Sequence, residues 1–298
     1  RGLVVDTSSL VECRVDPDAR TAMVEPGVVL ADLNAEAAVH GLMFGPDVAT
    51  AGRATLGGMI ANNSAGARSI VHGLTADNVR RLEILFADGT HAWVGGRSEV
   101  PPQLLACRTH AAAWRGPSLL RRVSGYNIDA LAGERPEWPR LFCGSEGTLG
   151  VITRAEVSLV PIPAARGMAL LRFASVDAAL EAVPDLLSTG PSALELLDGP
   201  MLDPRNRPAA TAGLVDFGTG AGAILIVEYS GSGDEVHELI GAHRDATVVT
   251  DAAAQAAVWT VRRSGIARAL RGDDGTAGTS RDARPLPFIE DPAVPPHR

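Results

Sequence analysis

Residues 46–66 have an unusual composition, because glycine, alanine, serine and threonine dominate them. Such small residues let a backbone approach a flat ring or a pyrophosphate closely, and free N–H groups supply the donors that an anion needs. The composition therefore predicts a loop that cradles a cofactor. A glycine-rich crossover turn that binds nothing explains the composition of this stretch equally well.

A second glycine-rich stretch lies at residues 141–153, where small residues run into the β-branched sequence Val151-Ile152-Thr153. It suits backbone contact with a ligand, although a bare turn before a strand is the better explanation of this stretch alone. Two such stretches in one domain favour the cofactor interpretation. Neither a GxGxxG pattern nor a Gly-Lys-Ser/Thr P-loop occurs, so Rossmann and P-loop folds lose their main support.

The overall composition indicates a soluble globular protein with a small-molecule partner. The 298 residues are 46% hydrophobic and 21% charged, and their number suits two ordinary domains. A net charge of -8 argues against binding to nucleic-acid phosphates or anionic lipid. We find no apolar run long enough for a transmembrane span and no export signal.

Metal chemistry has little support in the sequence. Cys13, Cys107 and Cys143 are widely spaced without a CxxC pair, which suits a reducing compartment and excludes a local zinc or iron–sulfur knuckle. We interpret these cysteines as buried small hydrophobes. The histidines are scattered without ligand spacing, so no metal site is predicted.

The elements that must position the two glycine-rich stretches alternate between strands and helices. The pattern predicts strands at residues 4–6 and 21–25, a helix at 28–40, and a hairpin at 82–94 around an Asp-Gly turn. Residues 99–122 show no clear period and are assigned as a loop with room for a short helix.

Prolines 161 and 163 mark a domain boundary near residue 161. Beyond them the pattern is typical of a ferredoxin-like alternation of strands and helices. The predicted strands are 168–173, 223–229 and 246–250, and the predicted helices are 176–187, 234–243 and 251–270.

Several motifs occur in a fixed order along the chain: Val24-Glu25-Pro26-Gly27, Gly45-Pro46-Asp47, residues 54–63, Leu85-Phe86-Ala87-Asp88-Gly89 and residues 144–153. In this order they closely resemble the FAD-linked oxidases of the vanillyl-alcohol oxidase superfamily. Ser124-Gly125-Tyr126-Asn127 and residues 288–295 further resemble the branch of D-lactate, glycolate and D-2-hydroxyglutarate dehydrogenases, particularly long forms fused to an iron–sulfur part. The resemblance covers nearly the whole chain.

The resemblance implies an α+β fold with two domains. Residues 1–160 would form a PCMH-type FAD-binding domain, and residues 161–298 a ferredoxin-like α+β substrate (cap) domain of the FAD-linked oxidase C-terminal type. Family members carry a pyrophosphate-binding Arg-Gly-Gly-Gly-Thr-Ser loop upstream of the strand corresponding to Leu3-Val4-Val5, and metal-binding and proton-abstracting histidines further downstream. We therefore expect the sequence to be truncated at both ends, and no catalytic residue is assigned.

The resemblance also implies which residues line FAD. From the first stretch these are Pro46, Asp47, Thr55, Gly57, Gly58, Asn62, Asn63, Ser64 and Ala65. From the second stretch they are Glu146, Gly147, Thr148, Gly150, Val151 and Ile152.

A substrate residue is implied by Trp259-Thr260-Val261-Arg262, which resembles the family's Trp-x-x-Arg helix. In that motif the arginine holds the substrate carboxylate, and a guanidinium suits a planar carboxylate through two parallel hydrogen bonds. The motif therefore assigns substrate binding to Arg262. Composition alone favours a surface arginine beside Arg263. Glu195 and Asp198 match a family pattern, but their part in the chemistry is unassigned.

The implied activity is FAD-dependent oxidation of a D-2-hydroxy acid of the lactate, glycolate or 2-hydroxyglutarate type, by hydride transfer to flavin N5. The implied partners are this substrate and an electron acceptor, which is a quinone, an electron-transfer protein or a fused iron–sulfur part. Location is expected in the cytoplasm or at a membrane periphery. The alternatives are an FAD-dependent oxidase of another alcohol or lactone, and an inactive flavin-domain fragment.

Overall fold

The computed structural model describes residues 4–96, 98, 100–114 and 125–269. The chain divides into two compact units, Arg1–Ile162 (unit 1) and Pro163–Arg298 (unit 2). Each unit is built from sheet and helices around a hydrophobic cluster of its own. The α+β class is therefore as predicted.

Unit 1 contains short strands and helices separated by long connections. Its strands are β1 Cys13–Asp16, β2 Thr21–Val24, β3 Leu42–Phe44, β4 Val79–Leu85, β5 His91–Gly95 and β6 Val151–Pro161. Its helices are α1 Leu30–Ala38, α2 Leu56–Ala61, α3 Ser69–His72, α4 Pro102–Ala113 and α5 Trp138–Phe142.

Strand β6 organises the sheet of unit 1. The antiparallel order is β1-β2-β6-β4-β5, and β3 also pairs with β6. Ala155, Val157 and Leu159 are buried, and they alternate along β6 with the more accessible Glu156 and Ser158. This alternation places one face of the sheet against the core of unit 1, as expected for a half-buried antiparallel strand.

Unit 2 is a four-stranded antiparallel sheet in the order β10-β7-β9-β8. Its strands are β7 Ala165–Phe173, β8 Ala193–Asp198, β9 Ala223–Gly231 and β10 Thr247–Val249. Its helices are α6 Val176–Ser188, α7 Gly199–Leu202, α8 Gly233–Gly241 and α9 Ala252–Ala269. Numbered within the unit, the strand order is 4-1-3-2, which confirms the predicted ferredoxin-like arrangement.

The two faces of the unit 2 sheet carry different residues. Leu225, Val227 and Tyr229 of β9 belong to a buried cluster that includes residues of α6 and α8. Side chains of a strand alternate between faces, so the neighbouring Glu228 lies on the opposite face. There it accepts a hydrogen bond from Trp259 of α9.

Some predicted elements of the chain were wrong. Residues 4–6 are not in a strand, whereas β1, β3 and β8 were missed. The segment from residue 99, assigned as a loop with room for a short helix, contains the twelve-residue helix α4, and residues 115–124 lie outside the described part. A proline is tolerated in the first helical turn, where its missing N–H has no partner to lose, so Pro102 begins this helix instead of breaking it.

We expect Leu82→Ala to destabilise unit 1 by about 2–5 kcal/mol, since it leaves a cavity in a packed core. Leu82 of β4 is fully buried, whereas Leu85 of the same strand is 40% exposed. Urea unfolding followed by tryptophan fluorescence measures the loss. Leu85→Ala is the control and should change stability by no more than about 0.5 kcal/mol; equal effects of the two substitutions would contradict the assigned core.

Candidate functional site

The two glycine-rich stretches meet at the end of helix α2. The backbone N–H of Gly144 donates to the carbonyl of Ile60 at 3.0 Å, and the N–H of Glu146 donates to the carbonyl of Ala61 at 3.0 Å. A helix leaves its last carbonyls without partners inside the helix, so the turn at residues 144–147 satisfies two of them. The structure therefore joins residues of the two stretches that lie 84 and 85 positions apart in sequence.

The start of α2 is held equally closely. Thr55 caps the helix, its Oγ1 accepting from the N–H of Gly58 at 3.3 Å, and the N–H of Gly57 donates to the carbonyl of Pro26 at 2.9 Å. A Cβ at Gly57 would lie 2.5 Å from the Cβ of Pro26. Glycine at residue 57 is therefore required by this close approach of two backbone segments.

Two residues beside α2 adopt a backbone conformation that is uncommon for side chains other than glycine. The φ angle is 48° at Asn63 and 50° at Glu146. Asn63 is buried, and its Oδ1 accepts from the N–H of Ala76 at 2.9 Å. Such residues persist only where the surroundings determine the conformation, and they cluster at ligand sites. The strained backbone thus marks the same region as the glycine-rich sequence.

A cavity of about 420 Å³ opens between α2 and the turn before β6. It is lined by Val5, Thr7, Pro26, Thr55, Gly57, Gly58, Ala61, Ser145, Glu146, Gly147, Gly150, Val151 and Ile152. Among the described residues that line it, only Glu146 has an ionisable side chain. An anion in this cavity would therefore meet backbone donors and not a lysine or arginine.

One such donor is available in the described part of the chain. The N–H of Gly147 makes no hydrogen bond to the described protein, and a Cβ at Gly147 would have no heavy atom within 4 Å. The φ angle of 75° at Gly147 also favours glycine. The turn thus presents an unpaired N–H on an open backbone, which is the feature that a phosphate or a carbonyl group of a ligand requires.

The predicted cofactor residues fall into two groups by position. Thr55, Gly57, Gly58, Glu146, Gly147, Gly150, Val151 and Ile152 line the cavity. Pro46, Asp47, Asn62, Asn63, Ser64, Ala65 and Thr148 do not line it. The contacts of the second group, where the structure shows them, lie within unit 1.

Asp47 illustrates this second group. It forms an ion pair with Arg68, and its Oδ1 also accepts from the N–H of Arg68 at 3.3 Å. A Cβ at Gly66 would lie 1.7 Å from the carbonyl oxygen of Asp47. These contacts fasten the end of the first stretch onto its beginning, so Asp47 shapes the loop that leads to α2.

Ser64, Asn62 and Thr148 also bind backbone. The carbonyl of Ser64 accepts from both the N–H and the Oγ1 of Thr75, the latter at 2.7 Å. The Nδ2 of Asn62 donates to the carbonyl of Gly58 at 3.1 Å. The Oγ1 of Thr148 donates to the carbonyl of Ser145 at 2.5 Å and lies 2.8 Å from the hydroxyl of Tyr126. These contacts, through the carbonyl of Ser64 and the side chains of Asn62 and Thr148, maintain the local backbone of unit 1.

Sequence reasoning missed several residues of the cavity wall. Pro26, Ala61 and Ser145 all lie inside the motifs that resembled the family, so membership of a motif was the signal that could have found them. Val5 lies in the segment that corresponds to a family strand but was not assigned to the site, and Thr7 had no comparable signal.

In unit 1, Cys143 is buried and Cys13 is partly buried against the core. Burial raises the pKa of the Cys143 thiol to about 12, and burial together with the neighbouring Glu36 raises that of Cys13 to about 12. Both thiols therefore stay protonated near neutral pH. In the described part of the chain, no three His, Cys, Asp or Glu side chains are grouped so as to hold a metal ion.

In unit 2, the structure places Arg262 against a carboxylate. Its Nε donates to Oε2 of Glu195 on β8 at 2.6 Å, and the two side chains are 32% and 19% exposed. The Nη groups of Arg262 have no hydrogen-bond partner among the described residues. Arg263 is exposed. The motif at residues 288–295 and Ser124 lie outside the described residues.

No helix in the described ranges combines the length and the apolar character that crossing a membrane requires.

Two known domain families match the chain. The family described as FAD binding domain matches residues 1–95, and the family described as FAD linked oxidases, C-terminal domain, matches residues 162–298. Together with the fold of each unit, this pair of domains defines a two-domain flavoprotein. The chain belongs to the FAD-linked oxidases, as its motifs predicted.

Curated relatives include proteins named for small hydroxy acids. The chain is 30% identical to glycolate oxidase subunit GlcD of Bacillus subtilis (strain 168), over 94% of the chain and 52% of that relative. It is 26% identical to D-2-hydroxyglutarate dehydrogenase of Pantoea ananatis, over 99% of the chain and 33% of the relative. It is 32% identical to D-lactate dehydrogenase of Archaeoglobus fulgidus, over 66% of the chain and 38% of that relative. The chain thus spans between a third and about half of these relatives' lengths.

A solved structure of alkyldihydroxyacetonephosphate synthase shares the fold. The match covers 88% of this chain and 45% of the synthase chain, with a TM-score of 0.60 at 19% identity. At this identity the likeness concerns the fold alone.

We expect Gly66→Ala to destabilise unit 1 by about 1–3 kcal/mol, because the new methyl group collides with the backbone of Asp47. Thermal unfolding measures the change. Gly52→Ala is the matched control, since Gly52 is exposed and a Cβ there would have no heavy atom within 4 Å. Gly52→Ala should stay within about 0.5 kcal/mol of the parent; a neutral Gly66→Ala would contradict the tight contact.

Proposed function

We propose that the cavity of unit 1 holds part of FAD and that the protein oxidises a D-2-hydroxy acid of the lactate, glycolate or 2-hydroxyglutarate type. The observation that carries the first half is the meeting of both glycine-rich stretches around one cavity. The names of the relatives and the free Nη groups of Arg262 support the second half.

The residues of the cavity fit a flavin nucleotide. Ligand cavities commonly have volumes of about 300–1,000 Å³, and this one measures about 420 Å³. Gly57, Gly58 and Gly147 leave the backbone accessible, and the N–H of Gly147 is a free donor. Thr55, Val151 and Ile152 supply side chains that can pack against a ring or a sugar. When bound, FAD supplies the hydride-accepting N5 atom.

Arg262 is proposed to bind the substrate carboxylate. The guanidinium is planar, always charged and able to make two parallel hydrogen bonds to a carboxylate. Because Glu195 occupies only Nε, both Nη groups remain for the substrate. The protein's contribution to the reaction is thus to hold and orient the hydroxy acid through its carboxylate.

The proposal extends to the electron acceptor and the location of the protein. The electrons would pass from the protein to a quinone, an electron-transfer protein or an iron–sulfur part. The protein would act in the cytoplasm or at the periphery of a membrane.

Ala61→Leu should weaken FAD binding roughly tenfold or more, because its side chain fills part of the cavity and overpacking costs about 1–3 kcal/mol. Titration of the apoprotein with FAD, followed by flavin fluorescence, gives the dissociation constant. Ala35→Leu, on the exposed side of α1, is the control and should bind FAD like the parent. Unchanged binding by Ala61→Leu would remove this cavity as the flavin site.

The FAD-loaded full-length gene product should lose its visible flavin absorbance under anaerobic conditions when a D-2-hydroxy acid is added. D-lactate, glycolate and D-2-hydroxyglutarate are compared at equal concentrations. Arg262→Gln should raise the substrate concentration for half-maximal bleaching at least about tenfold, since it removes a charge-assisted pair. Arg263 is the exposed neighbour of Arg262, so Arg263→Gln should leave that concentration unchanged.

Two results would count against this function. Bound flavin that none of the hydroxy acids bleaches would reject the proposed substrate class while keeping the flavin site. Equal effects of Arg262→Gln and Arg263→Gln would reject Arg262 as the carboxylate ligand.

A further inference from the structure

Both ends of the Trp-x-x-Arg segment are held by carboxylates of the unit 2 sheet. Trp259 Nε1 donates to Oε2 of Glu228 at 3.0 Å, and Arg262 Nε donates to Oε2 of Glu195 at 2.6 Å. Glu195 belongs to β8 and Glu228 to the adjacent β9. Glu228 pairs with Ala193 in the ladder, two residues from Glu195, so both carboxylates lie on one face of the sheet.

The carboxylate of Glu228 is completely buried. Besides Trp259, Ser192 donates through its Oγ to Oε1 of Glu228 at 3.2 Å, and the N–H of Ser192 donates to the carbonyl of Glu228 at 2.7 Å. Burying an acidic side chain is costly unless its oxygens accept hydrogen bonds. Burial of Glu228 in a mostly apolar strand costs free energy. We therefore infer that its hydrogen bonds have a specific role.

The two contacts act on one face of α9. Residues three apart on a helix are neighbours on its surface, so Trp259 and Arg262 point towards the same sheet. A single contact lets a helix turn or slide about it, whereas two contacts at different heights restrict both movements. Trp259 is itself 8% exposed, which further restricts movement of its ring.

We propose that Glu195 and Glu228 are positioning residues that together fix the orientation of Arg262 for the substrate carboxylate. This inference rests on the proposed function of Arg262. Glu228 sets the rotation of α9 through Trp259, and Glu195 occupies the Nε edge of the guanidinium. The edge formed by the two Nη groups then receives the substrate, so the carboxylate binds end-on in a single geometry.

The test compares variants of the FAD-loaded full-length gene product. Glu195→Ala removes the acceptor of Arg262 Nε, whereas Glu195→Gln keeps an acceptor of similar shape without the charge. Trp259→Phe removes the Nε1 donor to Oε2 of Glu228 and keeps the buried Glu228 side chain itself unchanged. Glu181→Ala is the control, because Glu181 is exposed on α6.

Two quantities are measured with each variant. The first is the KM for the hydroxy acid that bleaches the flavin. The second is the dissociation constant of pyruvate, followed by its perturbation of the flavin spectrum, since pyruvate has the carboxylate but no C2 hydrogen to transfer. Thermal unfolding separates loss of fold from loss of binding.

We expect Glu195→Ala and Trp259→Phe to raise both constants roughly tenfold, the scale of one hydrogen bond to a charged group. Glu195→Gln should restore most of the affinity, and Glu181→Ala should change neither constant. Such rescue by glutamine distinguishes positioning from a mere balance of charge.

Other outcomes overturn the inference in distinguishable ways. If Arg262→Gln weakens pyruvate binding but Glu195→Ala does not, or strengthens it, Glu195 does not position the arginine. If Trp259→Phe lowers only the unfolding temperature, its contact to Glu228 is purely structural. If Arg262→Gln itself binds pyruvate like the parent, the proposed carboxylate ligand fails and this inference fails with it.

Discussion

The hydrogen bonds from the turn at residues 144–147 to the last carbonyls of α2 determine the geometry of unit 1. Gly144 and Glu146 donate to Ile60 and Ala61, and helix ends must find such partners or lose free energy. The turn leads directly into β6, which carries most of the sheet pairing of unit 1. These two long-range hydrogen bonds thus fix the cavity wall and the start of the central strand together.

Unit 2 depends on a different kind of interaction. Its sheet packs apolar side chains against α6 and α8, and its opposite face adds hydrogen bonds from α9 to Glu195 and Glu228. Apolar packing has no preferred direction, so it lets two elements slide past each other. A hydrogen bond between a donor and a carboxylate depends on distance and angle and therefore resists sliding. Directional hydrogen bonds therefore fix the orientation of Arg262 on α9 better than apolar packing alone would.

Local signals predicted some elements and tertiary contacts decided the rest. The Asp88-Gly89 turn gave the hairpin of β4 and β5, and the proline pair marked the end of β6. Strand β8 was missed because its short run has no clear alternation that favours a strand. The pairing of Glu228 with Trp259 spans 31 residues, so no pattern within a local window reveals it. Which motif residues face the cavity likewise depends on the rotation of α2.

The protonated thiols of unit 1 bear on its chemical durability. Burial raises the pKa of both the Cys13 and the Cys143 thiol to about 12, so both stay protonated near neutral pH. Peroxide and electrophiles react with the thiolate and not with the thiol. The sulfur atoms of Cys13 and Cys143 therefore react slowly with such reagents near neutral pH.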